Sequence, residues 1–197
     1  MAYKFTQVMP DAFKNLQMNA GIMVKSFTPS TGVIGDILGA TTGGFKFASN
    51  PTYVDFGADV DNCPPNTWQL KHISYFDPAI SGTFLTISAA NAAKLIGPAA
   101  VDGTDTTKIV PQSQLKASDF DDVWVIGDYS DENEGASAGF VAVHLMHVLN
   151  TAGMQWTTTK DGKGQFAFDF HGHYDLNDIT TVPFEVYVKA GTAVSGG

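Results

Sequence analysis

Between Phe166 and Leu176 the chain reads FAFDFHGHYDL, and apolar and polar residues alternate almost throughout. A period of two is the mark of a strand with one buried face and one wet face. Phe166, Phe168, Phe170 and Tyr174 fall on one side, with Gly172 between the last two, while Asp169, His171, His173 and Asp175 fall on the other. Such a strand needs neighbours in a sheet and a second layer over its phenylalanines. Two histidines and two aspartates on one face are either the solvated side of that sheet or part of a metal site.

The rest of the chain supplies further strands. GFKFAS at 44–49 sets Phe45 and Phe47 against Lys46, and Tyr53 to Phe56 continues the extended pattern. WQLKHISYF at 68–76 and ISGTFLTIS at 80–88 are rich in aromatic and β-branched residues and read as strands. The stretch between them, GADVDNCPPNT at 57–67, is a long loop of turn residues. KIVP at 108–111 and DVWVIGDYS at 122–130 are further strands. GFVAVHLMHVLN at 139–150 is apolar on both faces; its Val and Phe content and its place between strands assign it to the sheet. MQWTTTK-DG-KGQFAFDF reads as a hairpin with Asp161-Gly162 in a type I′ turn. TVPFEVYV at 181–188 closes the sheet with Val182, Phe184, Val186 and Val188 on one face.

One segment reads as a helix, SAANAAKLIGP at 88–98, helical over about 89–96, with Ser88 as N-cap and Gly97-Pro98 as the stop. Seventeen of the twenty acids are aspartate, which favours turns over helix interiors, and 20 Gly and 9 Pro point the same way. The expected fold is an all-β sandwich or barrel with one short flanking helix, in a single domain over 1–197.

Composition narrows the chemistry. The net charge is −9 and all eleven basic residues are lysine. Without arginine the chain lacks the usual reader of guanine edges and the bidentate phosphate clamp, so sequence-specific nucleic-acid binding is not expected. Cys63 is the single cysteine and has no partner for a disulfide or a zinc ribbon. MAYKFTQVMPDAF does not resemble a signal peptide, and no apolar run approaches the roughly 18 residues of a membrane span. A soluble protein made in a reducing cytoplasm is expected.

ILGATTGGFK at 37–46 lacks the GK[ST] ending of a phosphate loop and leads into a strand. DFG at 55–57 has no kinase lysine strand or HRD loop with it. GDYSDENEG at 127–135 lacks the ligand spacing of a calcium loop, and no GxSxG elbow occurs. His171 and His173 lie about 6.7 Å apart along an ideal strand and would need Asp169, His144, His147 or Cys63 to complete a zinc shell; spacing selects none of these. No catalytic residue, metal or cofactor is expected.

Taken whole, the sequence resembles the major tail tube protein of long, flexible-tailed bacteriophages and prophages. The resemblance runs in order through NAGIMVKSFTPSTG (19–32), ILGATTGGFKFASNPTYVDFGADVDNCP (37–64), ISGTFLTIS (80–88) and VWVIGDYSD (123–131), and continues through GFVAVHLMHVLNTAGMQ (139–155), GQFAFDFHGHYDL (164–176) and TVPFEVYV (181–188). It implies a β-sandwich or half-barrel with one flanking helix, hexameric rings, and rings stacked into a hollow tube. Double-stranded DNA would pass through the lumen without sequence-specific binding. The implied partners are further copies of the chain, a tape-measure protein, and tail initiator or baseplate and terminator proteins. The implied location is the virion tail, with assembly in the host cytoplasm and no membrane insertion.

By position, an N-terminal arm (1–20), the long loop (57–67) and a loose C-terminal tail (189–197) correspond to the family's ring-to-ring contacts. Asp169, His171, His173 and Asp175, with Asp55 and Asp59 as a second set, are the expected lumen-lining residues of an acidic channel. Three rivals remain: the inner tube of a contractile injection system, which needs a sheath; a monomeric β-sandwich ligand-binding module, marked by clustered exposed aromatics; and a metal-dependent enzyme using His171 and His173. Trp68, Trp124 and Trp156 lie in apolar strand contexts, which weighs against the module.

Overall fold

The computed structural model describes residues 16–17, 19–129 and 138–191. Most of the N-terminal arm, the acidic loop from 131 and the tail from 192 lie outside the described residues. The described chain runs β1 (Ile22–Val24), β2 (Phe27–Thr28), β3 (Val33–Ile34), β4 (Thr41–Ala48), β5 (Pro51–Asp55), β6 (Lys71–Phe76) and β7 (Ala79–Phe84). It continues with α1 (Ala89–Ile96), β8 (Ala99–Val101), β9 (Ile109–Pro111), β10 (Asp121–Asp128), β11 (Phe140–Asn150), β12 (Gln155–Thr157), β13 (Gln165–His171) and β14 (Phe184–Lys189). The fold is all-β and antiparallel with one short helix, as expected.

Eight strands form one sheet in the order β1-β10-β11-β13-β7-β4, with β14 beside β11 and β12 beside β13. β11 is the corner. Its residues 140–148 pair with β10 and β14, and its last two, Leu149 and Asn150, pair with His171 and Phe170 of β13. A bulge interrupts the β10–β11 register at this corner, and His147 takes a left-handed φ of 48° there. Asp122 holds the bulge: its Oδ1 accepts the His147 backbone N–H at 3.0 Å and its Oδ2 faces His144 Nε2 at 3.1 Å.

The sheet thus folds over on itself, and the main core fills the fold. Val123, Val143, Leu145 and Val148 come from one half, Ile80, Phe84, Phe166, Phe168 and Phe170 from the other, and Leu95 from α1. A second core lies on the outer face of the first half, where Phe27 of the β2–β3 hairpin packs edge-on against Trp124 and Phe140. The helix forms where local signals place it. Ser88 Oγ accepts the Asn91 N–H at 3.2 Å, Ala92, Ala93 and Leu95 are buried, and Gly97 stops the helix at φ 96°.

Asn150, a buried polar residue at the corner, joins three segments. Its Nδ2 donates to Leu95 O at 2.6 Å and Gly153 O at 3.0 Å, and its Oδ1 accepts Asp169 N–H at 2.9 Å. Asn150→Leu orphans these three backbone groups, at about 1–3 kcal/mol for each buried unsatisfied group. The variant is expected to lose on the order of 3 kcal/mol or more, read as a lower urea midpoint at unchanged slope. A loss within about 0.5 kcal/mol would show that the three groups find other partners.

Four expectations need correction. The strand read through 166–176 ends at His171, and beyond it Gly172 sits against Leu145 and Pro183, where a Cβ would lie 2.8 Å from Leu145 Cδ1. Tyr174 therefore leaves the core face, and its hydroxyl accepts the Phe76 N–H instead. The β12–β13 hairpin exists, but its turn is not type I′. Asp161 has φ 61°, Gly162 has no positive φ, and the turn closes from Gly162 N–H to Thr159 O at 3.1 Å. Trp68–Leu70 forms a 3-10 turn before β6 rather than the start of the strand. On β14, Phe184 packs on the core, while Val186 and Val188, at 51% and 62%, are exposed.

Candidate functional site

β4 and β7 pair up to Ala48 and Ala79, and β5 and β6 resume the pairing at Pro51 and Phe76. The four strands are one long hairpin with a joint at Ser49–Asn50 and Asp77–Pro78. Beyond the joint, β5 and β6 pair only with each other among the described residues. This arm exposes Tyr53, Val54, Phe56, Val60, Trp68, Ile73 and Tyr75, with Phe56 at 63% and Trp68 at 80%. A lone two-stranded ribbon is at best marginally stable in water, and a concentration of exposed apolar side chains marks a contact surface.

The tip of the arm is well organised. Asp55 Oδ1 accepts Gly57 N–H at 2.9 Å and its Oδ2 accepts Asn66 N–H at 2.7 Å. These hydrogen bonds, with the nearby Lys71 charge, hold the Asp55 carboxyl below the usual aspartate range. Lys71 Nζ donates to Asn66 Oδ1 at 2.9 Å and lies 5.4 Å over the Tyr53 ring. Asn62 and Asn66 take left-handed φ angles of 61° and 66°, so the loop is built from specific turns.

The second feature is the outer face of β12, β13, β7 and β4. Register places Asp169, Ser81 and Lys46 in one row, His171, Ala79 and Ala48 in the next, and Ala167, Thr83 and Thr42 in a third. The face is built from small and polar side chains, exposed at Thr42 and Lys46, half-buried at Ser81, Thr83 and Ala167, and buried at Ala79. It carries charges of both signs, since the row of Asp169 also holds Lys46.

The six expected lining residues separate into three places. Asp169 and His171 stay together on β13. His173 and Asp175 leave the strand. His173 Nδ1 donates to His147 O at 2.9 Å, and the Asp178 backbone N–H donates to Asp175 O at 3.1 Å beside a cleft of about 220 Å³ that His147 and Thr181 also line. Asp55 staples the arm loop, and Asp59 is exposed in the turn that follows β5. Among the described residues no group of three His, Cys, Asp or Glu side chains is arranged to hold a metal ion. His171 reaches carboxylates instead, Asp77 Oδ1 at 2.7 Å and Asp169 Oδ2 at 3.4 Å.

Sequence reasoning missed the aromatic exposure of the arm. Trp124 is buried as expected, but Trp68 and Trp156 are exposed. A Pro-Pro loop followed by an aromatic-rich strand gives the same pattern whether the aromatics face a core or a partner, so only the pairing shows the difference. His144, named from the sequence only as a residue that could complete a zinc shell, stacks on Trp124 with centroids 4.0 Å apart between Asp122 and Glu185. Among the described residues no helix is long and apolar enough to cross a membrane. No family model and no curated protein matches the chain.

Proposed function

We propose that the protein is a structural subunit that assembles with copies of itself into hexameric rings, stacked as the hollow tail tube of a long, flexible-tailed bacteriophage. The observation that carries this reading is the arm, a preorganised two-stranded ribbon with apolar residues outward that needs a neighbour's surface. The exposed valines of the edge strand β14 support it, since an edge strand can pair with the next copy in a ring. Further partners on this reading are a tape-measure protein and the tail initiator, baseplate and terminator proteins.

The outer face of β4, β7, β12 and β13 is the proposed lumen lining. A lining with few cations and no arginine conducts a duplex without gripping it, because each lysine–phosphate contact releases counterions and strengthens binding. Catalysis has no part in this role.

The exposed aromatics of the arm also fit the rival binding module, and assembly state separates the two. Sedimentation velocity over a concentration series tests the reading. The wild-type chain is expected to populate a six-copy species, and Trp68→Ala to weaken it roughly thirtyfold, the loss of about 2 kcal/mol typical of an interface anchor. A wild-type chain that stays monomeric throughout and binds a glycan would favour the module.

A further inference from the structure

The joint between the arm and the sheet is fastened by the end of β13. Asn50 takes a left-handed φ of 40°, its Nδ2 donates to Asp77 O at 2.9 Å, and its carbonyl accepts Asp77 N–H at 3.2 Å. Gly172 N–H donates to Pro78 O at 2.9 Å, and Phe76 N–H donates to Tyr174 Oη at 2.9 Å. Between these lies His171, with Nδ1 on the Asp77 carboxylate and Nε2 towards Asp169. A neutral imidazole has one N–H and serves one of these carboxylates; only the imidazolium donates to both.

We propose that His171 is a titratable clamp on the joint, so that the arm is held against the sheet while the imidazole is protonated and released when it loses its proton. The surroundings suit the role. Asp77 comes from the joint and Asp169 from β13 itself. The residues paired beside His171, namely Ala79 on β7, Ala48 beyond it on β4 and Leu149 on β11, bring no charge. Lys46 shares the face but stands opposite Ser81, in the Asp169 row, and Tyr174 is engaged with Phe76.

Burial alone would lower the basicity of His171; the hydrogen bonds and charges of Asp77, then Asp169, outweigh it and raise the pKa above the ordinary 6.5. A group with a raised folded pKa contributes stability that is complete below the unfolded value and fades as pH rises through the folded one. The clamp therefore holds on the acidic side and opens on the alkaline side. It acts within one subunit; only its consequence for ring formation rests on the assembly reading above.

The test uses the full chain at a concentration where it is monomeric. The His171 midpoint is read by NMR, and hydrogen exchange at the amides of Phe76, Asp77 and Gly172, corrected for intrinsic rates, is followed between about pH 5 and about pH 9. The expected result is a midpoint above the ordinary histidine value, with joint protection lost through that same midpoint. His171→Gln should abolish the step, and Asp77→Asn should move midpoint and step together to lower pH. A midpoint at or below the ordinary value, protection that stays flat through it, or a step that survives His171→Gln would overturn the clamp. Should His171→Gln fail to fold, Asp77→Asn decides: an unmoved midpoint and step would overturn it equally.

Discussion

Phe168→Asp is expected to leave no soluble folded protein. The ring is 3% exposed and sits between Phe84, at a centroid distance of 4.5 Å, and Phe170, at 4.9 Å, with Phe45 beyond. Opposite it lies Gly82, where a Cβ would stand 2.8 Å from Phe168 Cζ, so the sheet leaves this space for the ring. An unpaired carboxylate there has no cation or donor to meet it and costs several kcal/mol, against a total stability of roughly 5–15 kcal/mol. The milder Phe168→Ala, at about 3–5 kcal/mol, should fold with a much lower denaturation midpoint. Circular dichroism and solubility check both, and a well-folded Phe168→Asp chain would mean that this face of β13 looks outward.

The second large effect concerns the arm. Replacing residues 52–75 by a two-residue Asn-Gly turn is expected to leave a folded subunit that no longer assembles. Neither core cluster draws a residue from β5, β6 or the loop between them. Phe76, which packs on Phe184 at 5.6 Å, is retained. The deletion therefore removes exposed apolar surface and no packed layer. Losing several interface anchors at about 2 kcal/mol each shifts assembly by several orders of magnitude. Thermal unfolding and sedimentation of the shortened chain check both halves. A shortened chain that unfolds would place the arm in the core, and one that still assembles would place the subunit contact elsewhere.

Where the sequence was readable, the determinants were local. The helix followed from Ser88, a run of Ala and Leu, and Gly97-Pro98, all within eleven residues. The core face of β13 followed from three alternating phenylalanines. What escaped depended on distant partners. Beyond the end of β13, Gly172 fits closely against Leu145 of β11 and the Pro183 carbonyl, where a side chain has no room. Asn150 looked like the polar end of an apolar run, although its carboxamide ties α1, the turn at Gly153 and β13 together.

The candidate site divides in the same way. Asp169 and His171 were found together because they share one strand, whereas the role of His171 depends on Asp77, ninety-four positions earlier. Asp55 was chosen for its charge, but its carboxylate is occupied by the arm's own amides.

Electron microscopy of the purified chain at raised concentration tests the proposed role most directly. Six-fold rings with an open channel are expected, joined into tubes of even width, with the arm bridging neighbouring subunits. Isolated particles of a single 21.0 kDa chain at every concentration, even with a tape-measure or initiator partner added, would contradict it.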